Sequence, residues 1–142
     1  MDGNKCDFCS NEIFSKQGII ENDIVRIIYP LKPIVFGHFM VITKRHAELF
    51  TDLNDTELVG MRELILKIYE VFKVNDKVDG FNLLNNNNKS ADQHVPHIHI
   101  HVFMRKKGDV SPFDILTKKI EKVKLSGGEW KEKLMKIKSW FI

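Results

Sequence analysis

The residues of this sequence best suited to chemistry are three alternating histidines, His97, His99 and His101, which are separated by Ile98 and Ile100. In a β-strand, successive side chains point to opposite faces, so the three imidazoles would share one face and the aliphatic residues the other. Isoleucine and valine also favour strands. The pattern therefore predicts a strand that presents a row of imidazoles and has its back in a hydrophobic core.

Such a row has three interpretations. It could be a solvated strand face that is rich in histidine, although polar strand faces normally use Lys, Thr, Glu and Ser. It could bind zinc or copper, since imidazole is a common ligand of both. It could also supply a nucleophile, because imidazole has a pKa of about 6.5 and can form a covalent intermediate near neutral pH. The last two interpretations are compatible if different histidines do different jobs.

A second candidate site is the Cys-x-x-Cys pair formed by Cys6 and Cys9, the only two cysteines of the chain. In a reducing compartment such a pair indicates a metal site more often than a structural disulfide. Two thiolates need two further ligands to complete a tetrahedral zinc site, and His38, His46 and the histidine row are candidates. The spacing alone leaves open a thioredoxin-like redox pair and two plain buried cysteines.

Length and composition indicate one globular domain. The chain has 142 residues, of which 43% are hydrophobic and 29% charged, with a net charge of +3, and this length allows a sizeable core. No apolar run is long enough to cross a bilayer, and the N-terminus lacks a signal-peptide pattern, so we expect a cytoplasmic protein without a membrane partner. The lysine-rich segment 118–138 is expected to be a solvated helix face, not a nucleic-acid-binding patch.

The order of the predicted elements indicates an α+β fold. Hydrophobic patterns predict strands at 24–29, 37–43, 80–84 and 97–103, the last two forming a hairpin across an asparagine-rich loop. A long helix should begin at Asn54, which has a glutamate three residues later, and end near Lys73. The chain before residue 18 is predicted to be irregular, with partial helix at 113–123 and a final helix from Ser126 or Gly127. This order favours an antiparallel sheet of about five strands.

Several segments together resemble the histidine triad (HIT) family. The run from Gln93 to Phe103 resembles that family's signature, His-x-His-x-His followed by two apolar residues. Four other segments resemble its bacterial and diadenosine-polyphosphate-hydrolase-like branch: Cys6 to Cys9, Gly37-His38, Lys44-Arg45-His46 and Gly80 to Leu84. The resemblance covers the chain from Cys6 to Phe103. It implies a HIT-like fold, with a single domain over residues 1–142, a core at about 6–105 and a C-terminal helical tail at about 111–142.

The resemblance also implies an activity: a nucleotide hydrolase or nucleotidyl transferase. Such an enzyme cleaves phosphoanhydride or phosphoramidate bonds of nucleoside 5′-phosphates, for example diadenosine polyphosphates. His99 would attack the phosphorus and form a nucleotidyl-histidine, which water then cleaves, while His101 would hold the phosphate oxygens. Gln93, Asn86 and His94 would contact the phosphate or the leaving group. The alternative is a nucleotide-binding module of the same fold with little turnover.

Further expectations from the resemblance concern metals and assembly. Cys6, Cys9, His46 and His97 would bind a structural zinc ion, and His38 would be a structural histidine in a turn. A Mg²⁺ ion would accompany a polyphosphate substrate. The protein is expected to form a homodimer through the helix from Asn54 and the paired strands.

Two positions depart from the family pattern. Pro30 stands where the family commonly has an aspartate that binds the ribose hydroxyls, and proline has no side-chain acceptor. Asp92 stands where a glycine normally precedes the signature glutamine. We therefore expect the chemistry of His99 to be retained and the usual ribose contact to be absent.

Overall fold

The computed structural model describes residues 6–141 and contains a five-stranded antiparallel sheet. Its strands are β1 (Gly18–Glu21), β2 (Val25–Ile28), β3 (His38–Thr43), β4 (Gly80–Leu84) and β5 (His99–Arg105). They lie in the order β1-β2-β3-β5-β4, and each neighbouring pair is antiparallel. The predicted α+β fold with an antiparallel sheet is confirmed.

In the described part of the chain, four α-helices accompany the sheet: α1 (Asn11–Gln17), α2 (Asp55–Asp76), α3 (Pro112–Leu116) and α4 (Gly127–Ser139). The long helix α2 begins as predicted, because the Asn54 side chain accepts a hydrogen bond from the Glu57 N–H and the Glu57 carboxylate accepts one from the Asn54 N–H. Within residues 6–141, no helix combines the length and the apolar character that a bilayer span requires.

The two faces of the sheet are covered by different parts of the chain. One face packs against α2 and α4, with Phe39, Val41 and Val102 fully buried between them. On the other face the N-terminal segment covers Ile28 and Ile42. Alternation along β5 therefore places Ile100 and Val102 in the main core and leaves His99 and His101 on the face beside the N-terminal segment.

The N-terminal segment differs from the prediction, because it is regular before Gly18. Ser10 caps α1 by accepting a hydrogen bond from the Glu12 N–H. The Arg26 guanidinium also donates to the Ser10 carbonyl and the Asn11 side chain. A helix of two turns has too little periodicity to detect, and it depends on such tertiary contacts for its stability.

The histidine strand begins two residues later than predicted. Its last pairing with β3 joins His99 to Ile42, and Ile98 donates its N–H to the Ala47 carbonyl instead. Pro96 has no N–H with which to extend the ladder. His97 therefore precedes the strand, and its ring turns toward the N-terminal segment.

The C-terminal tail wraps around the loop that joins β2 to β3. Phe113 in α3 packs against Phe103 with ring centroids 5.8 Å apart. Trp130 in α4 donates its indole N–H to the Pro30 carbonyl at 2.7 Å. A cavity of about 420 Å³ lies beneath the tail and is lined by core-facing residues such as Phe36 and Met104, so it lies away from the histidine face.

Candidate functional site

Four predicted ligand residues meet at one corner of the sheet. The His97 Nδ1 atom lies 3.3 Å from Cys6 Sγ and 3.4 Å from Cys9 Sγ, and His46 Nδ1 lies 3.1 Å from Cys9 Sγ. All four ligand atoms lie within 4.8 Å of one another. Zinc bond lengths in tetrahedral geometry require S···N separations of about 3.6 Å. The cluster can therefore hold a metal ion.

The outer contacts of this corner suit metal ligation. The His97 Nε2–H donates to the Thr43 carbonyl at 2.8 Å, which leaves the Nδ1 lone pair directed at the cysteines. His46 Nε2 is buried without a hydrogen-bond partner among residues 6–141 and lies 3.6 Å from a Glu48 carboxylate oxygen. Metal-bound histidines commonly direct their second nitrogen at a carbonyl or a carboxylate. Both rings therefore present Nδ1 to the same point.

The protonation of the corner also fits a cation. Burial lowers the pKa of His97 to about 4, which keeps the imidazole neutral, as a ligand must be. Burial and the neighbouring Cys6 thiol raise the pKa of Cys9 to about 11 when no cation is present. A bound divalent cation would reverse that shift, because metal binding displaces the thiol protons.

The backbone carbonyl of His97 holds the His99 ring in place. The His99 Nδ1–H donates to the His97 carbonyl at 2.8 Å, and Phe8 packs edge-on against the ring. Burial lowers the pKa of His99, the bond to the His97 carbonyl raises it, and the charge of His94 lowers it further. The ring is therefore neutral near pH 7. Its Nε2 has no hydrogen-bond partner among residues 6–141, so the lone pair is available.

His101 accepts a hydrogen bond from His38, a contact that the sequence did not predict. Ile34 donates its backbone N–H to His38 Nδ1 at 3.0 Å, so the proton of a neutral His38 is on Nε2. That Nε2–H then donates to His101 Nδ1 at 2.9 Å. The proton of His101 is accordingly on its own Nε2, which becomes a donor on the open side of the ring.

Burial fixes these protonation states. It lowers the pKa of His38 to about 3, with smaller contributions from the charges of His101 and Lys122. It lowers the pKa of His101 to about 4, with His99 contributing less. His38 therefore lies in β3 bonded to the triad and is not merely a turn residue. Only the β3–β5 register, which the sequence does not specify, brings the two rings together.

The asparagine loop after β4 supports the histidine strand through a residue that sequence reasoning missed. Asn85 donates its side-chain N–H to the His99 carbonyl at 3.1 Å. Asn87 donates to the Asn85 side chain and accepts from the Phe50 N–H. Asn86, the predicted phosphate contact, is half-buried and makes no side-chain hydrogen bond within residues 6–141. Its role remains a prediction.

The Gln93 side chain is hydrogen-bonded to the backbone of its own loop and to that of the segment after β3. Its side-chain oxygen accepts from the Asn88 N–H at 2.7 Å, and its amide nitrogen donates to the Glu48 and Val95 carbonyls. A contact with a phosphate would require some of these bonds to be given up, and that role remains a prediction. His94 is exposed, and its charge reaches His99.

Asp92 occupies a backbone conformation that explains the usual glycine at its position. Its φ is 65°, in the left-handed region, where glycine is unstrained and aspartate is tolerated better than most residues. This conformation turns the chain from the short helical segment at Lys89–Ala91 into the triad.

Comparison with known proteins defines the family. The family model of the HIT domain matches residues 12–108, and the chain therefore belongs to the HIT family. An uncharacterized HIT-like protein of Methanocaldococcus jannaschii is 36% identical over 107 residues, which cover 73% of this chain and 81% of that protein.

Some of the relatives carry names that describe an activity. The asymmetrical bis(5′-nucleosyl)-tetraphosphatase of Schizosaccharomyces pombe is 34% identical over 65% of this chain and half of its own length. The adenosine 5′-monophosphoramidase of Candida albicans is 28% identical over 84% of this chain and 89% of its own.

Solved structures share the fold. A HIT-like protein from Bartonella henselae superposes with a TM-score of 0.75 over 99% of this chain and 98% of that one, at 22% identity. A zinc-bound histidine triad family protein from Mycobacterium smegmatis has a TM-score of 0.71 at 27% identity, covering 99% and 97% of the two chains.

Proposed function

We propose that this protein is a nucleotide hydrolase or nucleotidyl transferase that cleaves phosphoanhydride or phosphoramidate bonds of nucleoside 5′-phosphates. The observation that carries the proposal is the arrangement of His99 and His101. One ring offers a free Nε2 lone pair and the other an Nε2–H donor, with centroids 5.1 Å apart. The tetraphosphatase and phosphoramidase names of two relatives support this class of substrate.

In the proposed mechanism His99 Nε2 attacks the phosphorus bonded to the nucleoside 5′-oxygen. A P–N bond forms while the bond to the leaving phosphate or amine breaks, and the leaving group takes a proton from the solvent, to which the water of the second step returns one. The substituted imidazole gains positive charge, which the His97 carbonyl stabilises through the Nδ1–H. His101 donates its Nε2–H to a phosphate oxygen, where negative charge collects in the transition state. Water then cleaves the P–N bond and restores neutral His99.

We further propose that the ion held by Cys6, Cys9, His46 and His97 is zinc. Two thiolates and two neutral imidazoles form a complex of zero net charge with a divalent ion, which suits a buried corner. The name of the mycobacterial neighbour supports this identity. With four protein ligands the ion would be structural, fastening the N-terminal segment to the start of β5. A Mg²⁺ ion accompanying a polyphosphate substrate would be held by the substrate's own oxygens.

A second candidate is a nucleotide-binding module with little turnover, and the state of Gln93 favours it. Its amide is committed to three backbone groups, so it does not face the phosphate site as it stands. Nucleotide binding without turnover and without a covalent intermediate would support this candidate over the enzyme.

We propose a homodimer that covers the exposed edge of the sheet. Among residues 6–141, β4 pairs with β5 alone, so no strand of that part of the chain covers its outer edge. Leu83 is 51% exposed and Phe81 39%, and Phe81 packs against Tyr69 of α2. A second copy would cover this apolar edge. Sedimentation analysis should find a dimer for the wild type and a monomer for Leu83→Lys, with Lys77→Ala as an exposed control. A monomeric wild type would contradict this proposal.

We also propose a cytoplasmic location, because the site requires both cysteines as thiolates and a reducing compartment keeps them so.

The direct test of the enzyme is His99→Ala compared with His94→Ala. Both variants are assayed with diadenosine tetraphosphate and adenosine 5′-phosphoramidate. Loss of the nucleophile should lower kcat by about 10⁴-fold or more, whereas the exposed His94 should change it by about tenfold at most. Turnover by His99→Ala equal to that of the wild type would refute the proposed role of His99.

A further inference from the structure

Two lysines lie together where the C-terminal tail crosses the β2–β3 loop. The Lys122 ammonium donates to the backbone carbonyl of Lys32 at 3.2 Å. The ion pairs within 4.0 Å among residues 6–141 include neither lysine. Burial lowers the pKa of Lys122, and the charge of Lys32 lowers it further. Two like charges are thus held near each other without a carboxylate to compensate them, which is unfavourable unless an anion joins them.

This lysine pair is connected to the triad by a short series of contacts. Lys32 lies two residues before Ile34, a separation of about 7 Å at most along the chain. The Ile34 N–H binds His38, and His38 binds His101. The effect of the Lys122 charge on the pKa of His38 agrees with this proximity. The lysines therefore lie on the His38 side of His101, within reach of an extended substrate.

Contacts before and after Lys122 in the chain hold the C-terminal tail against the rest of the protein. Upstream of Lys122, Phe113 packs on Phe103, which itself stacks on His101 at a centroid distance of 6.2 Å. Downstream, the Trp130 indole N–H binds the Pro30 carbonyl. The loop segment 30–34 has no carboxylate side chain. The surface that the two lysines form beside the triad is consequently cationic. The side chains of residues 30–34 offer no acceptor for sugar hydroxyls.

We propose that Lys32 and Lys122 form a subsite for a second phosphate group of the substrate, separate from the phosphate that His99 attacks. The inference rests on the proposed nucleotidyl activity and specifies its substrate class as nucleotides with two separated phosphate positions. Ammonium groups bind phosphate through charge-assisted hydrogen bonds. The second phosphate has two sources: a phosphate on the nucleotide's sugar, or a distal phosphate of a polyphosphate chain.

The test compares substrates with and without the second phosphate. Lys32→Gln/Lys122→Gln is assayed against adenosine 5′-phosphoramidate, its 3′-phosphorylated derivative and diadenosine tetraphosphate, with Lys124→Gln, an exposed lysine of the same tail, as the control. We expect kcat/KM to fall about tenfold or more for a substrate with the second phosphate and less than about threefold for the phosphoramidate. The substrate that shows the fall identifies the source. An equal change for all three substrates would overturn the proposal.

A binding measurement separates this proposal from the activity itself. Calorimetry with adenosine 5′-monophosphate, adenosine 3′,5′-bisphosphate and adenosine triphosphate should show tighter wild-type binding of at least one of the last two, by about tenfold. The double substitution should abolish that preference. If the wild type binds in this way but turns over no substrate, the proposed activity fails and the subsite stands. If binding shows no preference for a second phosphate, the subsite fails. Lys122→Gln alone serves where the double variant does not fold.

Discussion

The proposed metal site around His97 and the proposed catalytic face around His99 use the same residue type with opposite ring nitrogens available. His97 donates its Nε2–H to the Thr43 carbonyl and presents Nδ1 to the cysteines. His99 donates its Nδ1–H to the His97 carbonyl and leaves Nε2 free. The backbone carbonyl that each ring binds decides which nitrogen remains available. In the proposed function one of these neighbouring imidazoles is a metal ligand and the other a nucleophile, and the His97 backbone connects them.

The largest expected effect is a loss of bound metal and of folding stability, and it should follow substitution in the proposed metal site but not at His99. Cys9→Ser should remove the metal and lower the free energy of unfolding by several kcal/mol, because the ion links the N-terminal segment to β5. Metal analysis and urea unfolding of the same preparation measure both. His99→Ala should retain the metal and most of the stability. Equal metal content in the wild type and Cys9→Ser would contradict this division.

The next effect concerns the hydrogen bond between His38 and His101. His38→Phe removes the donor that sets the protonated nitrogen of His101, and we expect kcat to fall about 10- to 100-fold. KM should change less, because the bond positions His101 and does not reach the substrate. His38→Gln, which retains an N–H donor, should recover part of kcat. If Phe and Gln were equivalent, His38 would have only a packing role.

The pH dependence of folding stability tests the lowered pKa values of His38 and His101. His38 has a pKa of about 3 and His101 of about 4 in the folded protein, against about 6.5 when unfolded. Their contribution is complete above pH 6.5 and is lost as the pH falls toward 4, because the unfolded chain binds protons that the folded chain does not. Wild-type stability should drop by on the order of 4 kcal/mol between pH 7 and 5, about half from each histidine. His38→Gln should show a smaller drop, and an equal drop would contradict these shifts.

The smallest effect is expected from the asparagine loop. Asn85→Ala removes one hydrogen bond to the His99 carbonyl, and this bond supports the strand without touching the reacting atoms. We expect kcat to fall about threefold to tenfold. Asn75→Ala removes a similar local bond at the end of α2 and should leave kcat unchanged. A loss as large as that of His99→Ala would show that Asn85 contacts the substrate.

The sequence predicted the elements whose patterns are long or repeated. The Asn54 cap of α2 and the strand alternation around His99 were both recognisable. The Cys-x-x-Cys spacing with the family resemblance placed Cys6 and Cys9 beside His46 and His97. The short helix α1 was missed because a helix of seven residues has too few apolar repeats. It is stabilised by contacts such as those of Arg26, which are distant in sequence.

The remaining misses are contacts between residues that are distant in sequence. The pairing of β3 with β5 places His38 opposite Phe103 and diagonally beside His101, and the path of the asparagine loop decides that Asn85 reaches His99. Periodicity within one strand shows which residues share a face, but it does not show which residue lies opposite. The same limit applies to Lys122, whose approach to Lys32 depends on a tail with little regular structure.

The most direct measurement is to trap the covalent intermediate. The wild type is mixed with diadenosine tetraphosphate and quenched in alkali during the first turnover, and the modified peptide is located by mass spectrometry. A nucleotidyl group on His99, and none on His97 or His101, is the predicted result. A nucleotidyl group on another residue, or product released in that turnover with no covalent intermediate, would contradict the assignment of His99 as nucleophile and His97 as metal ligand.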